Sequence, residues 1–334
     1  MQVLLTGAAG FIGAAVAERL LARGDRVVGI DNYADYYAVS LKSDRIGRIR
    51  AADGAGLFDF RVIDFSDNAE LRHALDDCSF ERIVHLGAQP GVRHSLDHPH
   101  AYAQANLVGH LNILELARSR QTEHLVYASS SSVYGGNAKV PFAVADNVDH
   151  PYSLYAATKK ADELMSEAYA HLYRIPQTGL RFFTVYGPCG RPDMMPWIFT
   201  DKILRGEPIP VFNNGDMERD FTFIDDIAAG VIAAIDRIPA DDGREKPGGG
   251  KGPHAIYNLG NSRPEPLRKV ISIIEGACKR EAVLDMLPMQ SGDVPRTFAD
   301  IAETERDLSW RPTTPVEVGF PAFVRWFKDY HRLD

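Results

Sequence analysis

This 334-residue sequence has few cysteines, no long apolar run and no basic N-terminal segment. Its three cysteines, Cys78, Cys189 and Cys278, are too far apart for a Cys-x-x-Cys pair, so we expect neither a disulfide framework nor a cysteine zinc site, and a reducing compartment is favoured. No apolar run approaches the roughly 18 residues that cross a bilayer. The apolar N-terminus lacks a basic segment and contains Glu18 and Arg19, unlike a secretory signal peptide. These absences predict a cytoplasmic protein that spans no membrane.

Basic residues are likewise too few for a nucleic-acid-binding surface. Lys and Arg number 37 against 45 Asp and Glu, a formal net charge of −8, and no basic tract occurs, so nucleic acid is not an expected partner. The sequence has no His-Glu-x-x-His motif, no His, Asp and Glu cluster at metal-ligand spacing and no Gly-x-Ser-x-Gly motif; we expect no metal site and no serine-hydrolase site. What is present is ordinary: 45% apolar residues, enough for one large α/β unit or two fused domains.

Short β-branched runs alternate with helical patterns in the first half of the chain. This alternation predicts a parallel sheet with helices on both faces, because parallel strands are connected by helical crossovers. The expected fold class is therefore α/β: a doubly wound parallel (Rossmann) sheet with a smaller, mixed α/β substrate-binding cap. The predicted strands are 2–5, 26–30, 60–63, 82–86, 124–128 and 177–183, and the predicted helices lie near 11–23, 67–76, 99–119 and 152–173.

The pattern changes after about residue 184 to short mixed elements with more proline. Helices are predicted at 225–238 and 315–330, the second with Phe323, Trp326 and Phe327 buried on one side. Residues 239–253 are rich in glycine and charge and lack apolar periodicity, which predicts a flexible surface loop. The predicted domains are a dinucleotide-binding domain, 1–183 plus about 220–258, and a substrate domain, about 184–219 plus 259–334.

A three-glycine motif follows the first predicted strand and opens the first helix. In such a motif Gly7 permits the tight turn, Gly10 lets the backbone approach a pyrophosphate, and Gly13 lets the helix pack on the strand. The helix N-terminus adds free N–H groups for the phosphates. Asp31 ends the second strand, 18 residues after Gly13, where a carboxylate accepts hydrogen bonds from an adenosine ribose and repels a 2′-phosphate. NAD is therefore expected rather than NADP; a glycine-rich turn without a ligand is the alternative.

Tyr155 and Lys159 are four residues apart in a predicted helix and project from one face. A free phenol has a pKa near ~10, and lowering it to ~7 requires about 4 kcal/mol. An ammonium at ~4 Å and an effective dielectric of ~20 supplies about that amount. The pair is thus suited to remove a proton from an alcohol, and the serine run 129–132, which includes Ser130, lies upstream of it. Two unrelated surface residues are the alternative for such a common motif.

The Gly-x-x-Gly-x-x-Gly spacing, together with Ser130, Tyr155 and Lys159, resembles the extended short-chain dehydrogenase/reductase superfamily. The resemblance implies catalytic roles for these three residues. It also implies a set of cofactor contacts at the ends of the first four strands and on the helices that follow. That set is Gly7, Gly10, Phe11, Ile12, Gly13, Asp31, Asn32, Asp64, Phe65, Leu86, Ala88, Gln89, Asn106, Tyr155 and Lys159. In the superfamily the position of Asp64 binds the adenine amino group, whereas His85 lies on an apolar strand and is interpreted as structural.

Segments 31–42, 89–93, 181–188 and 190–194 closely resemble UDP-glucuronate 4-epimerases, and the resemblance extends from residue 1 to about 330 outside the loop. It implies NAD as cofactor and a UDP-sugar substrate. By this resemblance, Arg219 would bind the diphosphate and Arg191 the hexuronate carboxylate, since the planar guanidinium offers paired hydrogen-bond donors. The implied substrate contacts are Arg93, Ser130, Thr184, Arg191, Phe212, Arg219 and Asp293. The local alternatives are ion pairs of Arg191 with Asp193 and of Arg219 with Glu218 or Asp220.

The serine run distinguishes between reactions within the superfamily. Related dehydratases have Thr-Asp-Glu before Val-Tyr-Gly, and UDP-glucuronate decarboxylases have a Glu there, whereas this chain has Ser131 and Ser132. The absence of a carboxylate favours epimerisation over elimination. Two departures concern the pocket: Gln290 and Ser291 stand where glucose-type epimerases have an arginine, and Gly87 and Pro90 replace the residues usual in the Ala-Ala-Gln-Ala-Gly segment. A UDP-glucose/galactose epimerase, a uronate decarboxylase and an inactive NAD-sensing scaffold stay open as alternatives.

The helices near 99–119 and 152–173 contain more apolar positions than one buried stripe requires. These positions are Leu114, Leu116, Leu164, Met165 and Leu172. The family resemblance implies that two such helices from each subunit form a four-helix interface, and we therefore expect a homodimer.

Overall fold

A parallel sheet of seven strands organises the computed structural model, which describes residues 1–289 and 294–333. Its strands follow the order β3-β2-β1-β4-β5-β6-β10 and are paired in parallel throughout. The strand order reverses between β1 and β4, and in such sheets ligands bind at the carboxyl ends of the strands on either side of the reversal. The strands of the chain are β1 (Gln2–Thr6), β2 (Arg26–Asp31), β3 (Phe58–Val62), β4 (Arg82–His85), β5 (His124–Ser130), β6 (Gln177–Phe182), β7 (Thr184–Tyr186), β8 (Pro208–Val211), β9 (Glu218–Phe223), β10 (His254–Leu259), β11 (Pro264–Pro266) and β12 (Val283–Met286).

Helices cover both faces of this sheet, which confirms the predicted fold class. On β1, Val3 and Leu5 belong to a core shared with α1 and α9, and Leu4 belongs to a second core shared with α3 and α6; strands buried on both faces are typical of parallel sheets. The helices are α1 (Phe11–Ala22), α2 (Val39–Ala52), α3 (Asn68–Ala74), α4 (His94–Asp97), α5 (Pro99–Tyr102), α6 (Gly109–Arg120), α7 (Leu154–Tyr173), α8 (Met195–Arg205), α9 (Ile224–Asp236), α10 (Leu267–Cys278), α11 (Ala302–Leu308) and α12 (Val316–His331).

A smaller region built mainly from the second half contains two further sheets. Strands β7, β9 and β11 form one, β8 and β12 form the other, and α8, α10 and α12 pack together beside them. Since α9 and β10 return to the large sheet, we keep the two-domain division as a proposal. We place its second boundary after Phe223 rather than at about 220, because β9 pairs with β7 and β11.

The predicted strands of the first 183 residues are all present, with bounds that differ by no more than two residues. The predicted helix at 99–119 is divided into α5, a π-helical segment (Ala103–Val108) and α6. Residues 239–253 contain no helix or strand; Pro247 is buried, and its carbonyl accepts from the amide of Ile256 at 2.8 Å. Flexibility of this loop stays a prediction. No helix in the described part of the chain has the length and apolar character needed to cross a membrane.

Two of the five apolar positions assigned to a subunit interface were assigned wrongly. Leu114 and Leu116 are 0% and 2% exposed because this side of α6 packs onto the sheet, in the core that also contains α3. Met165 is partly buried against the same core. Only Leu164 and Leu172, 59% and 65% exposed on α7, face solvent as the interface requires.

Candidate active site

The glycine turn between β1 and α1 packs directly against the segment that follows β4. Gly7 has φ +69°, and a Cβ there would lie 2.7 Å from the amide nitrogen of Gly87. A Cβ on Gly13 would lie 2.0 Å from the carbonyl oxygen of Gly7. The Thr6 hydroxyl accepts from the amide of Gly87 at 3.0 Å and is 2.7 Å from Nδ1 of His85. The two strand ends that flank the reversal of strand order are therefore tied together at the predicted dinucleotide turn.

His85 supports this junction as a neutral side chain. It is 3% exposed, and burial, with a smaller effect from the nearby Lys159, lowers the pKa of His85 to about 3. A neutral imidazole that contacts Thr6 fits the structural role expected from the sequence.

The Asp31 carboxylate is oriented at the end of β2, beside the glycine turn. Its oxygens accept from the amides of Ala9 at 3.2 Å and Tyr33 at 2.9 Å, and Lys42 Nζ lies 3.8 Å away. At the end of β3, Asp64 accepts from the Asn32 amide at 3.1 Å. The structure thus aligns the predicted ribose and adenine contacts along three adjacent strand ends.

Other predicted cofactor residues differ in what they offer a ligand. Phe11 is buried in the core, and Ile12 is partly buried against it. The ring of Phe65 fills space that a Cβ on Gly87 or Gly109 would occupy, at 2.5 and 2.4 Å, so its backbone rather than its ring is available to a cofactor. Gly10, Leu86 and Ala88 are partly exposed at the same edge.

Gln89 follows β4 and is held by Asn106 from the π-helical segment. The Asn106 side chain accepts from the amide of Gln89 at 2.8 Å, donates to its carbonyl at 3.1 Å, and donates to Thr158 Oγ1 on α7 at 3.0 Å. Because its amide is engaged in these contacts, we assign Asn106 a positioning role. The side-chain nitrogen of Gln89 is buried without a partner among the described residues, and such a donor calls for a ligand or water. Together with the glycine turn and Asp31, it fits a bound dinucleotide.

The catalytic candidates Ser130, Tyr155 and Lys159 come from the end of β5 and the first two turns of α7, which contact each other. Lys159 is 3% exposed, and its ammonium donates to the carbonyl of Ala128 at 3.0 Å. Ser130 is buried, and its hydroxyl accepts from the amide of Ser132 at 3.1 Å. Tyr155 is partly exposed. The arrangement offers a phenol, an ammonium and a hydroxyl beside the cofactor residues.

The neighbouring Ser129 has a different function from Ser130. Its hydroxyl donates to Glu163 at 2.7 Å, and Glu163 forms a buried ion pair with Arg181, Nε to Oε1, at 2.8 Å. This buried network anchors β5 to β6 and α7, so that Ser129 has a structural role.

Sequence reasoning missed Asp162, which lies beside the catalytic candidate Lys159. Its Oδ2 accepts from Lys159 Nζ at 3.1 Å, whereas its Oδ1 is buried without a partner among the residues that the structure describes. Burial raises the pKa of Asp162 to about 7, although the adjacent ammonium opposes this rise. The i to i+3 spacing from Lys159 could have indicated the contact, but not the burial.

Arg191 forms the ion pair with Asp193 that the sequence left open as an alternative. Nε donates to Oδ1 at 3.0 Å, Nη2 donates to Oδ2, and the Tyr36 hydroxyl donates to the same Oδ2 at 2.9 Å. Arg191 is also close enough to Tyr155 to interact with it electrostatically. A guanidinium therefore lies within electrostatic reach of the candidate phenol. The partly exposed Thr184 begins β7 in the preceding segment.

Arg45 is a further residue that the sequence did not reveal. It is 1% exposed on α2, and its guanidinium donates to the carbonyl of Ala9 in the glycine turn at 3.0 Å and to that of Cys189 at 2.7 Å. It thus connects the cofactor turn to the loop that leads to Arg191. Its partners are separated from it by 36 and 144 residues, a relation that no local motif encodes.

The remaining substrate candidates lie in the smaller region or face it. Arg93 stacks over the ring of Phe212, with 5.1 Å from the guanidinium carbon to the ring centroid. Arg219 Nη1 donates to the carbonyls of Glu218 at 3.0 Å and Pro295 at 3.1 Å.

The local ion pairs considered for Arg219 are replaced by other contacts. The carboxylate of Glu218 pairs with Arg296, and that of Asp220 is buried and accepts from three backbone amides, including Asn261 and Ala299. The predicted contact Asp293, together with Gln290 and Ser291, lies outside the described residues. In the described ranges no group of three His, Cys, Asp or Glu side chains is placed to hold a metal ion.

The chain is similar to several known proteins. The sequence pattern of the NAD dependent epimerase/dehydratase family matches residues 3–260. UDP-glucuronate 4-epimerase 4 of Arabidopsis thaliana is 44% identical over 100% of this chain and 77% of that protein. The crystal structure of UDP-glucuronic acid 4-epimerase from Bacillus cereus, in complex with UDP-glucuronic acid and NAD, superposes with a TM-score of 0.86 at 30% identity, over 99% of this chain and 100% of that one. UDP-glucose 4-epimerase of Thermotoga maritima, with UDP-glucose, gives 0.85 at 26% identity, over 99% and 100%.

Proposed function

The chain belongs to the NAD dependent epimerase/dehydratase family, and we propose that it is an NAD-dependent isomerase that interconverts UDP-glucuronate and UDP-galacturonate. The observation that carries the proposal is the guanidinium of Arg191, which interacts electrostatically with the phenol of Tyr155. A positive charge within electrostatic reach of the reacting hydroxyl suits a sugar with a carboxylate at C5. The B. cereus and A. thaliana relatives are named for the same reaction, which supports it further.

The residues present fit NAD as the cofactor. The Gly7 to Gly13 turn would hold the pyrophosphate, Asp31 the adenosine ribose, Asp64 the adenine, and Gln89 would supply its unpaired amide donor. When bound, NAD supplies the acceptor and donor of the hydride at C4 of the sugar. No net redox change results, since the hydride returns to the same carbon.

The chain's own residues move the proton in this scheme. Tyr155 removes the proton of the 4-hydroxyl, the ammonium of Lys159 stabilises the phenolate, and Ser130 donates to O4 as it becomes a ketone oxygen. Phe212 and Arg219 retain the UDP while the 4-keto sugar turns over about its phosphate bond. When C4 regains its hydride on the opposite face, Tyr155 returns the proton to O4.

Arg191 has a second role in this proposal. The 4-keto uronate is a β-keto acid, which loses CO₂ when its carboxylate is free to lie orthogonal to the ketone. By holding the carboxylate charged and oriented, Arg191 suppresses this side reaction. The serine run at 129–132 supports epimerisation as well, since it offers no carboxylate for elimination.

The decisive experiment is product analysis. Purified protein loaded with NAD is incubated with UDP-glucuronate, and the nucleotide sugars are separated. UDP-galacturonate is the expected product. A UDP-pentose as main product would identify a decarboxylase, turnover of UDP-glucose alone would identify a neutral-sugar epimerase, and no turnover of either sugar would favour an NAD-sensing scaffold.

We further propose that the protein is a cytoplasmic homodimer. Exposed apolar side chains lie on α7, at Leu164 and Leu172, and on the π-helical segment and α6, at Val108 and Leu111. Such a surface suits a symmetric interface. Light scattering of the double variant Leu164→Glu, Leu172→Glu should give the mass of a monomer. Retention of the dimer in that variant would place the interface elsewhere.

A further inference from the structure

The guanidinium of Arg191 is held along only one of its edges. Nε and Nη2 donate to the two carboxylate oxygens of Asp193, and Tyr36 donates to the same carboxylate. Besides these bonds, Arg191 interacts with the Tyr36 hydroxyl, and its opposite edge, formed by Nη1 and the second hydrogen of Nη2, donates to no carboxylate or carbonyl within residues 1–289 and 294–333. A guanidinium has five N–H donors in a planar fork. It can therefore bind one carboxylate on each edge.

This guanidinium is partly accessible to solvent at the candidate site. The side chains of Arg191 and Asp193 are 21% and 29% exposed. The guanidinium carbon is 5.8 Å from the ring centroid of Tyr36, and that ring lies edge-on to His94 at 4.8 Å. Asp193 is thereby oriented by side chains from the loops that follow β2 and β7, with α4 behind them.

We propose that Asp193 is an internal counter-ion that determines how strictly the site distinguishes a uronate from an uncharged hexose. The inference rests on the proposed function, because it assigns the open edge of Arg191 to the C5 substituent of the sugar. It adds a specificity-determining residue that does not itself contact the reacting atoms.

The physical argument compares the two kinds of sugar in the site. With an uncharged hexose bound, Asp193 still neutralises the charge of Arg191. The guanidinium therefore keeps a counter-ion, and the hexose is tolerated. With a uronate bound, two carboxylates share one guanidinium, and their mutual repulsion reduces the attraction for the substrate. Asp193 thus reduces the affinity for the uronate and increases that for the neutral sugar. Its removal should act in the opposite direction on each.

The test is equilibrium binding to NAD-loaded protein in a Tyr155→Phe background, in which neither sugar is converted. Dissociation constants are measured for UDP-glucuronate, UDP-glucose and UDP alone, with and without Asp193→Asn. Asparagine retains the shape and one acceptor for Nε of Arg191 but has no charge. The preference for UDP-glucuronate over UDP-glucose should rise by about tenfold, the effect of a hydrogen bond to a charged group, and the affinity for UDP should not change.

Two control variants separate charge from geometry. Asp35→Asn removes an exposed carboxylate next to Tyr36 that forms no hydrogen bond or ion pair with Arg191, and it should leave the preference unchanged. Tyr36→Phe removes one hydrogen bond to Asp193 but leaves its charge, and it should change the preference by less than about threefold.

The outcomes are distinct from those of the product analysis, which uses the wild-type protein. An unchanged or smaller preference in Asp193→Asn would overturn the inference even if the wild type produces UDP-galacturonate. Weaker binding of both UDP-sugars with unchanged binding of UDP would also overturn it, because Asp193 would then only position Arg191.

Discussion

The candidate site has two walls, which hold their functional side chains by different means. The sheet wall comprises the glycine turn, Asp31, Tyr155 and Lys159, and the cap wall comprises Arg191 and Arg219. On the sheet side, Asp31 accepts from two backbone amides, and Lys159 is buried against the carbonyl of Ala128. On the cap side, Arg191 is fixed by an ion pair with a carboxylate that is itself partly exposed, and Arg219 by two carbonyls at a strand edge. Backbone groups therefore contact both functional side chains named on the sheet side, whereas on the cap side Arg191, the residue proposed to bind the sugar, depends on a side-chain ion pair that can exchange.

This difference matches the tasks proposed for the two walls. A cofactor that accepts and returns one hydride needs a fixed position, and fixed backbone contacts supply it. A sugar that presents both faces of C4 in turn to the same cofactor needs contacts that can be broken and formed again. Substitutions on the sheet wall should consequently abolish chemistry or folding, and those on the cap wall should change substrate preference and product.

The largest effect is expected at Tyr155. Tyr155→Phe removes the proton acceptor of the sheet wall and should lower kcat by about 10³-fold, within the range for general acid–base catalysis. Because the ring remains, KM for UDP-glucuronate and the thermal midpoint should change little. Steady-state kinetics and calorimetry test this, and wild-type turnover in the variant would refute the proposed role of the phenol.

The next effect concerns the glycine turn. Gly13→Ala would bring a Cβ to 2.0 Å from the carbonyl oxygen of Gly7, and neither backbone can yield without opening the turn. We expect loss of NAD binding, measured by fluorescence, and destabilisation by about 1–3 kcal/mol. Gly47→Ala, also within a helix but with no atom within 4 Å of the added Cβ, is the matched control and should retain NAD. Equal NAD affinity in both variants would show that close packing at the turn is not required.

The cap wall should respond differently to the loss of a functional group. Arg191→Ala should raise KM for UDP-glucuronate by about 10- to 100-fold, the value of a charged hydrogen-bonded contact, and should release a UDP-pentose. Product chromatography distinguishes this result from simple weakening. Arg205→Ala removes an exposed arginine of α8 that pairs with Asp201, and it should behave as the wild type. A wild-type KM in Arg191→Ala would show that Arg191 does not bind the carboxylate of the substrate.

The sheet wall was largely predictable from the sequence because its chemistry is local. Gly7 to Gly13, Asp31 and the Tyr155–Lys159 pair derive their meaning from spacing along one turn, strand end or helix, and the structure places them at one edge of the predicted sheet. The cap wall depends on contacts that spacing does not encode: Tyr36 and Asp193 are separated by 157 residues.

Burial was the other limit of the sequence analysis. Periodicity identifies an apolar face of a helix but not what covers it, and for this reason Leu114 and Leu116 were assigned to a subunit interface although they lie in the core. The same limit applies to Asp162. A charged residue in the middle of an amphipathic helix is usually solvated, and only the fold shows that this one lies beneath the catalytic lysine.

The smallest effect is expected at Asp162 and tests whether the sheet wall is also tuned by charge. Since burial raises the pKa of Asp162 to about 7, above pH 7 its carboxylate offsets part of the positive charge of Lys159. Asp162→Asn removes this offset, so the phenolate of Tyr155 is stabilised further. The acid limb of the kcat/KM profile should move to lower pH by about 0.5–1 unit.

The titration of Asp162 should also be visible in the pH dependence of protein stability, independently of catalysis. A folded-state pKa above the ordinary value of ~3.9 means that the stability associated with Asp162 is complete below about pH 4 and is lost as the pH rises through about 7. Asparagine does not titrate, so the thermal midpoint of Asp162→Asn relative to wild type should increase between pH 5 and pH 8. Asp97→Asn, at an exposed carboxylate of α4, should show no such trend. If both variants follow the wild type across this range, Asp162 does not titrate there, and the sheet wall is set by geometry alone.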